Sequence, residues 1–300
     1  MLMNNHIIDL ADTPARLSTK LEQLVITMED DPPQSVPLKE IAVVVLTNPQ
    51  ITITQPALAG LADYGAAVIV CDRASLPVSL SLPLAGNFIQ TRRMADQASA
   101  PKPINKRLWK QIIQSKIQAQ AQTLKKLNLD PNPLNALVPQ VRSGDTANVE
   151  ARASRKYWQL LFAHQTKPFR RDREAKDQNQ LLNYGYAIIR AIIARAITAV
   201  GLHPAIGIHH HNQYNAYPLA DDLIEPFRPL VDYATAQYIQ ENGTPESLDK
   251  NAKSIMLTTL ISKYRIQNEM RTLFDIASQL TNSLVSIYEN REGNLRLPQW

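Results

Sequence analysis

The chain has 300 residues, a single cysteine and no apolar run long enough to span a membrane. The lone thiol, Cys71, cannot form a disulfide within the chain. Its position at the end of the apolar run GAAVIVC is typical of a small buried side chain. The N-terminal stretch MLMNNHIIDLADTPAR lacks the basic and apolar segments of a secretion signal. We therefore expect a cytoplasmic protein with no membrane partner.

Internal repeats, coiled-coil heptads and low-complexity tails are also missing, and the 44% apolar share is enough to form a packed core. Residues 1–90 predict a small β-rich domain, because short alternating segments are followed by strand, helix and strand with short connections. The predicted strands cover 6–10, 15–17, 24–28, 41–46 and 66–71, and the predicted helix covers 57–65.

The pattern changes after residue 90. A polar stretch with two prolines at 91–106 predicts a linker, and residues 107–300 have helical apolar spacing almost throughout. The predicted fold is therefore α+β with two domains, a small β-rich N-terminal domain followed by a larger all-α C-terminal domain. The predicted helices cover 108–127, 149–163, 181–200, 218–230, 254–264 and 270–290.

Histidine is scarce, with six residues in the chain, yet three of them are adjacent at His209, His210 and His211. They lie in a predicted loop, and the predicted helix that follows has Asp222 and Glu225 three residues apart. That spacing places both carboxylates on one helix face. Imidazole nitrogen and carboxylate oxygen suit a catalytic divalent metal ion with open coordination positions. The C-terminal domain is therefore predicted to carry a metal site.

Glu150 lies in the stretch GDTANVEARASRKYW, near the start of a predicted helix. A carboxylate at that position often only caps the helix, where the helix dipole favours negative charge. Beside His210 and Glu225 it is also a candidate third ligand from a separate helix. Two carboxylates and one imidazole can hold a divalent ion and leave positions for phosphate oxygens. The residues alone leave both interpretations open.

Cations are unevenly distributed in this chain, whose formal net charge is +5. The stretch 152–176 contains eight cations against two acids, which suits binding to a polyanion. A solvated loop and helix face would have the same composition, and that interpretation also stays open. The cations are Arg152, Arg155, Lys156, Lys167, Arg170, Arg171, Arg173 and Lys176.

Three separated motifs, in order along the chain, closely resemble the CRISPR-associated spacer-acquisition integrase family, Cas1. They read NVEARASRKYW, GIHHHNQYN and LADDLIEPFRP. The extended forms of the second and third motifs are most similar to the branch found with type II systems. The run IAVVVLTNPQITITQPALAGLADYGAAVIVCD is similar to the element that ends the family's β-domain. The resemblance implies that this N-terminal domain mediates dimerisation.

Carried over onto this sequence, the resemblance implies that Glu150, His210 and Glu225 are the catalytic metal ligands. The implied metal is Mg²⁺ or Mn²⁺, because imidazole is a softer ligand than carboxylate or water. Asp222 is implied as a supporting neighbour or an alternative ligand. Further supporting residues are the flanking histidines and the arginine of the third motif, namely His209, His211 and Arg228.

The implied activity is that of a metal-dependent DNA nuclease and integrase, in which the 3′-hydroxyl of an incoming DNA fragment attacks a phosphodiester of the CRISPR repeat. The cations at 152–176 would bind the DNA backbone without reading bases. The resemblance also implies a prokaryotic homodimer bridged by the small acquisition partner Cas2. A type II setting would add contact with the effector nuclease or an accessory acquisition protein.

Two alternatives accompany this hypothesis. One is a related integrase that acts outside CRISPR immunity. CRISPR repeats and a partner gene beside the gene for this protein would distinguish a CRISPR integrase from this alternative. The other is a non-catalytic, basic DNA-binding scaffold whose acids and histidines are structural. In that protein, replacing Glu150 or His210 would reduce stability and leave DNA binding intact.

Overall fold

The structure, a computed structural model, describes residues 6–10, 13–73, 77–163, 169–172, 174–245, 248–266 and 269–300. The N-terminal region is built on eight strands and one helix: β1 (His6–Leu10), β2 (Ala15–Lys20), β3 (Gln23–Met28), β4 (Gln34–Pro37), β5 (Ile41–Leu46), β6 (Thr52–Ile53), α1 (Gln55–Asp63), β7 (Ala67–Cys71) and β8 (Pro77–Ser81). They form two four-stranded sheets with the orders β1-β5-β7-β8 and β4-β3-β2-β6. In the first sheet only β8 runs antiparallel to its neighbour.

The first sheet is covered on both faces, which explains why β5 and β7 are continuous apolar runs. Val44 and Val68 point into an N-terminal core that also contains residues of β2, β3 and α1. Val43, Val45 and Ile69 point to the other face, where they join the core of the helical region. The β-rich region therefore packs directly on the helices.

The rest of the described chain is mainly helical. A long central helix packs against the shorter helices that follow it, and a two-stranded hairpin precedes the last helix. The elements are α2 (Gln90–Ala98), α3 (Lys102–Lys126), α4 (Asn132–Asn135), α5 (Val149–Leu161), α6 (Asn179–Ala199), α7 (Pro218–Ile224), α8 (Arg228–Asn242), α9 (Lys250–Ile261), β9 (Tyr264–Ile266), β10 (Glu269–Arg271) and α10 (Leu273–Asn290).

The structure confirms the mixed architecture, with a β-rich N-terminal region and a helical C-terminal region, and corrects several details. The predicted linker at 91–106 is largely helical, because its prolines lie at and just inside the start of α3, where a helix tolerates them. The helix predicted at 218–230 is interrupted by the 3₁₀ turn Glu225–Phe227. The hairpin of β9 and β10 means that the C-terminal region is not entirely helical.

The boundaries predicted at 1–90, 91–106 and 107–300 stay a prediction. The shared core shows that the two regions are in close contact, and side-chain hydrogen bonds link them, among them one from the Tyr217 hydroxyl to the Leu80 carbonyl at 2.7 Å. The Tyr184 hydroxyl donates to Asp9 Oδ2 at 2.6 Å, and Arg195 Nε donates to the Gly65 carbonyl at 2.6 Å. In the described part of the chain, no helix combines the length and apolar character that a membrane span requires.

Candidate metal centre

Glu150 does not cap its helix. The side chain of Asp145 takes that role, because its two carboxylate oxygens accept hydrogen bonds from the backbone N–H groups of Val149 and Glu150 at 3.0 and 2.9 Å. The turn that brings Asp145 into place has positive φ angles at Gly144, Asp145 and Asn148. The Glu150 carboxylate is therefore free to point away from the start of α5 and into the protein.

Lys116 forms an ion pair with the Glu150 carboxylate. Its ammonium donates to Glu150 Oε1 at 2.6 Å and lies 2.6 Å from Glu225 Oε2. The Lys116 side chain is only 9% exposed on the inner face of α3. Burial by itself would lower the pKa of Lys116, but the charges of Glu225 and Glu150 outweigh it and raise this pKa above its ordinary value. Glu150 and Glu225, the carboxylate pair, are thus held together by one buried cation.

Glu225 lies in the 3₁₀ turn between α7 and α8 and is also bound by Arg228, whose Nε donates to Glu225 Oε1 at 2.8 Å. Burial opposes ionisation of this carboxyl, yet Arg228 and Lys116 together lower its pKa to about 2. The other oxygen, Oε2, is fully buried and accepts no well-aligned hydrogen bond despite its close contact with Lys116. Glu225 is therefore ionised and retains one oxygen with an unused lone pair.

His210 is oriented by Asp222, which is completely buried. Asp222 Oδ1 lies 2.5 Å from His210 Nδ1, and Asp222 Oδ2 accepts from the backbone N–H groups of Ile208 and His209 at 2.6 and 2.8 Å. The hydrogen bond to Asp222 raises the pKa of His210 against the effect of burial, and the charges of Asp222 and of the carboxylate pair add to it. With Nδ1 engaged, the imidazole has Nε2 available for a ligand, as in many metal-bound histidines.

Gly207 makes this turn feasible. A Cβ atom at this position would lie 2.4 Å from the His210 carbonyl oxygen and 3.1 Å from Asp222 Oδ2. Any side chain would therefore push the His210 backbone away from Asp222. The glycine of the second motif is thus required by packing, three residues before the histidine that it helps to position.

The two flanking histidines differ in their surroundings. The His209 ring stacks on Trp109 of α3, with 4.1 Å between ring centroids and 4° between ring planes, and partial burial lowers the pKa of His209. The edge of His210 lies against the same indole, at 5.5 Å between centroids. His211 is exposed. Stacking on Trp109 therefore anchors the loop, and of the three rings His210 is the one held by a carboxylate.

The predicted DNA-binding cations differ in exposure and in their partners, and Arg152, although exposed, donates to Gln140 Oε1 at 3.2 Å. Arg152, Arg155, Lys156 and Arg170 are exposed, whereas Arg171 donates to the side-chain oxygens of the structural residues Asn179 and Asn183 at 2.7 and 2.5 Å. Lys167 and Arg173 lie outside the described residues.

Sequence reasoning missed Lys116, Asp145 and Asp221. Lys116 occupies a position in the apolar stripe of α3, and a lysine on a buried helix face was the available signal. Asp221 accepts two hydrogen bonds from Arg190 at 2.7 and 2.6 Å and lines a cavity of about 330 Å³ together with Arg190 and Arg228. The three-residue spacing to Glu225 had pointed to Asp222 instead of its neighbour Asp221.

The predicted ligands come together without forming a ready-made metal cage. Among the described residues, no three histidine, cysteine, aspartate or glutamate side chains are placed to hold a metal ion, and Lys116 lies between the two carboxylates instead. The residues nevertheless fit such an ion. Glu225 Oε2 has an unused lone pair, Asp222 orients His210, and two carboxylates with one imidazole are a common donor set for catalytic divalent metals.

The chain matches known proteins over nearly its whole length. The family model for CRISPR associated protein Cas1 matches residues 10–268. The CRISPR-associated endonuclease Cas1 of Neisseria meningitidis serogroup C (strain 8013) is 34% identical over 293 residues, which make up 97% of this chain and 95% of that protein.

Two solved structures are similar in fold. A casposase bound to integration product aligns with a TM-score of 0.76 at 21% identity, over 96% of this chain and 92% of that one. A chain of a Cas6-RT-Cas1–Cas2 complex aligns with a TM-score of 0.77 at 21% identity, over 100% of this chain and 36% of that one. At such identities the likeness concerns the fold alone.

Proposed function

The chain belongs to the Cas1 family of CRISPR-associated proteins, and on that premise we propose that it is a metal-dependent DNA endonuclease and integrase. It would insert new spacers into a CRISPR array. The observation that carries the proposal is that Glu150 and Glu225 share Lys116, while Asp222 orients His210 close enough for the charges of both glutamates to raise its pKa.

The proposed reaction is a transesterification. The 3′-hydroxyl of the incoming DNA loses its proton and forms a new P–O bond, while a P–O bond of the repeat strand breaks and leaves a free 3′-hydroxyl. Bound Mg²⁺ or Mn²⁺ would lower the pKa of the attacking hydroxyl and offset charge on the phosphate. Water in place of the hydroxyl would give the endonuclease activity.

The residues of the chain have separate tasks in this proposal. Glu150, Glu225 and His210 would hold the metal ion. Asp222 keeps the His210 ring in position through Nδ1, and Arg228 fixes one oxygen of Glu225 so that the other faces the site. The exposed cations Arg152, Arg155, Lys156 and Arg170 would bind the DNA backbone through phosphate contacts, which position a duplex without reading its sequence.

The proposed partners follow from family membership. The Cas1-containing complex supports an assembly with Cas2, and the casposase bound to integration product supports contact with DNA. We expect the chain to act in this assembly as a homodimer. The sequence forms HHHNQYN and LADDLIEPFRP support placement in the type II branch. That setting adds the effector nuclease or an accessory acquisition protein as candidate partners.

A strand-transfer assay with His210→Ala tests the proposed chemistry. Purified protein is incubated with a branched, half-integrated DNA substrate in Mg²⁺, Mn²⁺ or EDTA. The wild type should reseal or transfer strands only with metal, and His210→Ala should lose at least about a hundredfold in rate, as expected for loss of a metal-supporting group. His203→Ala, an exposed histidine elsewhere, is the matched control and should retain wild-type activity.

Three outcomes would contradict parts of the proposal. Activity in EDTA would exclude metal dependence. Full activity of His210→Ala would transfer the ligand role to His209 or His211. DNA binding without any metal-dependent reaction, in the presence as well as in the absence of Cas2, would favour the non-catalytic scaffold.

A further inference from the structure

We propose that Lys116 is a built-in competitor of the metal ion. Its ammonium occupies the space between Glu150 and Glu225, and a divalent ion has to displace it in order to bind both carboxylates. This inference rests on the proposed metal-dependent function and adds a residue that none of the three sequence motifs contains.

The position of the ammonium is that of a small cation. Lys116 Nζ lies 2.6 Å from an oxygen of each glutamate, so these two oxygens are no further apart than the sum of the two distances. Oxygens bound to one Mg²⁺ at ~2.1 Å lie at most ~4.2 Å apart, which is below this upper limit. The lysine therefore gathers one oxygen of each carboxylate around a single small cation, and it does so with its own charge.

Lys116 and a metal ion compete because Glu225 has only one carboxylate oxygen that is not already bound by Arg228. Arg228 Nε occupies Oε1 at 2.8 Å, and Oε2, the buried oxygen with an unused lone pair, is the atom that Lys116 contacts. A metal ion bound to Glu225 through this oxygen would stand beside the ammonium in a water-poor site. Two cations in close contact there repel each other strongly, so only one of them can hold both carboxylates at a time.

Gln120 offers the displaced ammonium an alternative partner. It lies one turn further along α3, and its Oε1 is buried without a hydrogen-bond partner among the described residues. Side chains four residues apart on a helix are neighbours, and long side chains on a helix generally lean toward its N-terminal end, which for Gln120 is the side of Lys116. Movement of the flexible lysine side chain from the carboxylate pair to Gln120 would free the site and satisfy the amide oxygen.

Metal binding by Lys116→Met measures the competition directly. Methionine has a similar length to lysine and no charge. Mn²⁺ should therefore bind Lys116→Met roughly five- to tenfold more tightly than it binds the wild type. Titration calorimetry or electron paramagnetic resonance of free Mn²⁺ measures this affinity. The melting temperature in EDTA should fall, and Mn²⁺ should raise it further than in the wild type. Lys125→Met, an exposed lysine on the same helix, should change neither quantity.

Unchanged or weaker Mn²⁺ binding by Lys116→Met would overturn the inference, because the lysine would then be neutral toward the metal or help to hold it. If this variant does not fold, Lys116→Gln removes the charge and keeps a polar end, and the same comparison decides. Glu225→Gln in the otherwise wild-type chain tests the underlying site. Wild-type Mn²⁺ affinity in Glu225→Gln would refute the proposed metal site itself, whatever Lys116 does.

Discussion

Asp232 is a buried carboxyl group that is linked to the candidate metal centre through Tyr186 and Arg228. It accepts a hydrogen bond from the Tyr186 hydroxyl, and the guanidinium of Arg228, which binds Glu225, lies 4.6 Å from the centroid of the Tyr186 ring. Burial raises the pKa of Asp232 to about 7, although the hydrogen bond from Tyr186 opposes the shift. The protonation state of this group therefore affects stability across an accessible pH range.

Asp232→Asn tests this at the scale of a single residue. Because the folded-state pKa is raised, the stability contributed by Asp232 is fully present below about pH 3.8 and is lost as pH rises to about 7. The loss is roughly 1.4 kcal/mol for each unit by which the pKa is raised. Between pH 5 and pH 8 the wild type should lose more free energy of unfolding in urea than Asp232→Asn does. Parallel profiles would show that Asp232 is ionised throughout.

At the scale of elements, the start of α5 determines where Glu150 points. Asp145 satisfies the first N–H groups of this helix, and the Glu150 side chain is thereby left to reach Lys116. Asp145, five residues earlier, thus caps the helix, a role that Glu150 could have filled. Helix capping and the proposed metal binding are divided between two carboxylates, Asp145 and Glu150, five residues apart.

Asp145→Ala should therefore damage both the helix and the site. We expect a loss of about 0.5–2 kcal/mol in the free energy of unfolding, typical of a lost N-cap, together with weaker Mn²⁺ binding. Asp249→Ala is the matched control, because Asp249 caps α9 through the Ala252 N–H at 2.8 Å. It should lose similar stability and keep wild-type Mn²⁺ affinity, and equal Mn²⁺ affinities in the two variants would refute the link.

At the scale of the whole molecule, the two faces of the first sheet pack into two different hydrophobic cores. Val43, Val45 and Ile69 pack on the helices, and the hydrogen bonds of Tyr184 and Arg195 cross the same interface. Removing the helical region would expose a continuous apolar sheet face, which promotes association.

A fragment of residues 1–90 should consequently fail to form a stable monomer, whereas the full chain should unfold with its N-terminal region coupled to the helices. Size-exclusion chromatography and calorimetry of the fragment and the full chain would check this. A monomeric fragment with its own cooperative melting transition would contradict the expectation and support an independent domain that ends near residue 90.

The sequence alone determined the features that depend on neighbouring residues. Apolar periodicity separated a β-rich from a helical region, and the three-residue spacing of Asp222 and Glu225 placed two carboxylates together, since such patterns reflect local geometry. The resemblance of three motifs to the Cas1 family then singled out Glu150 and His210. The tertiary structure decided what fills the space between them. Lys116, Glu150 and Glu225 come from three elements far apart in the chain, and a lysine within an apolar stripe shows its partners only after α3 has packed against α5 and the turn at Glu225.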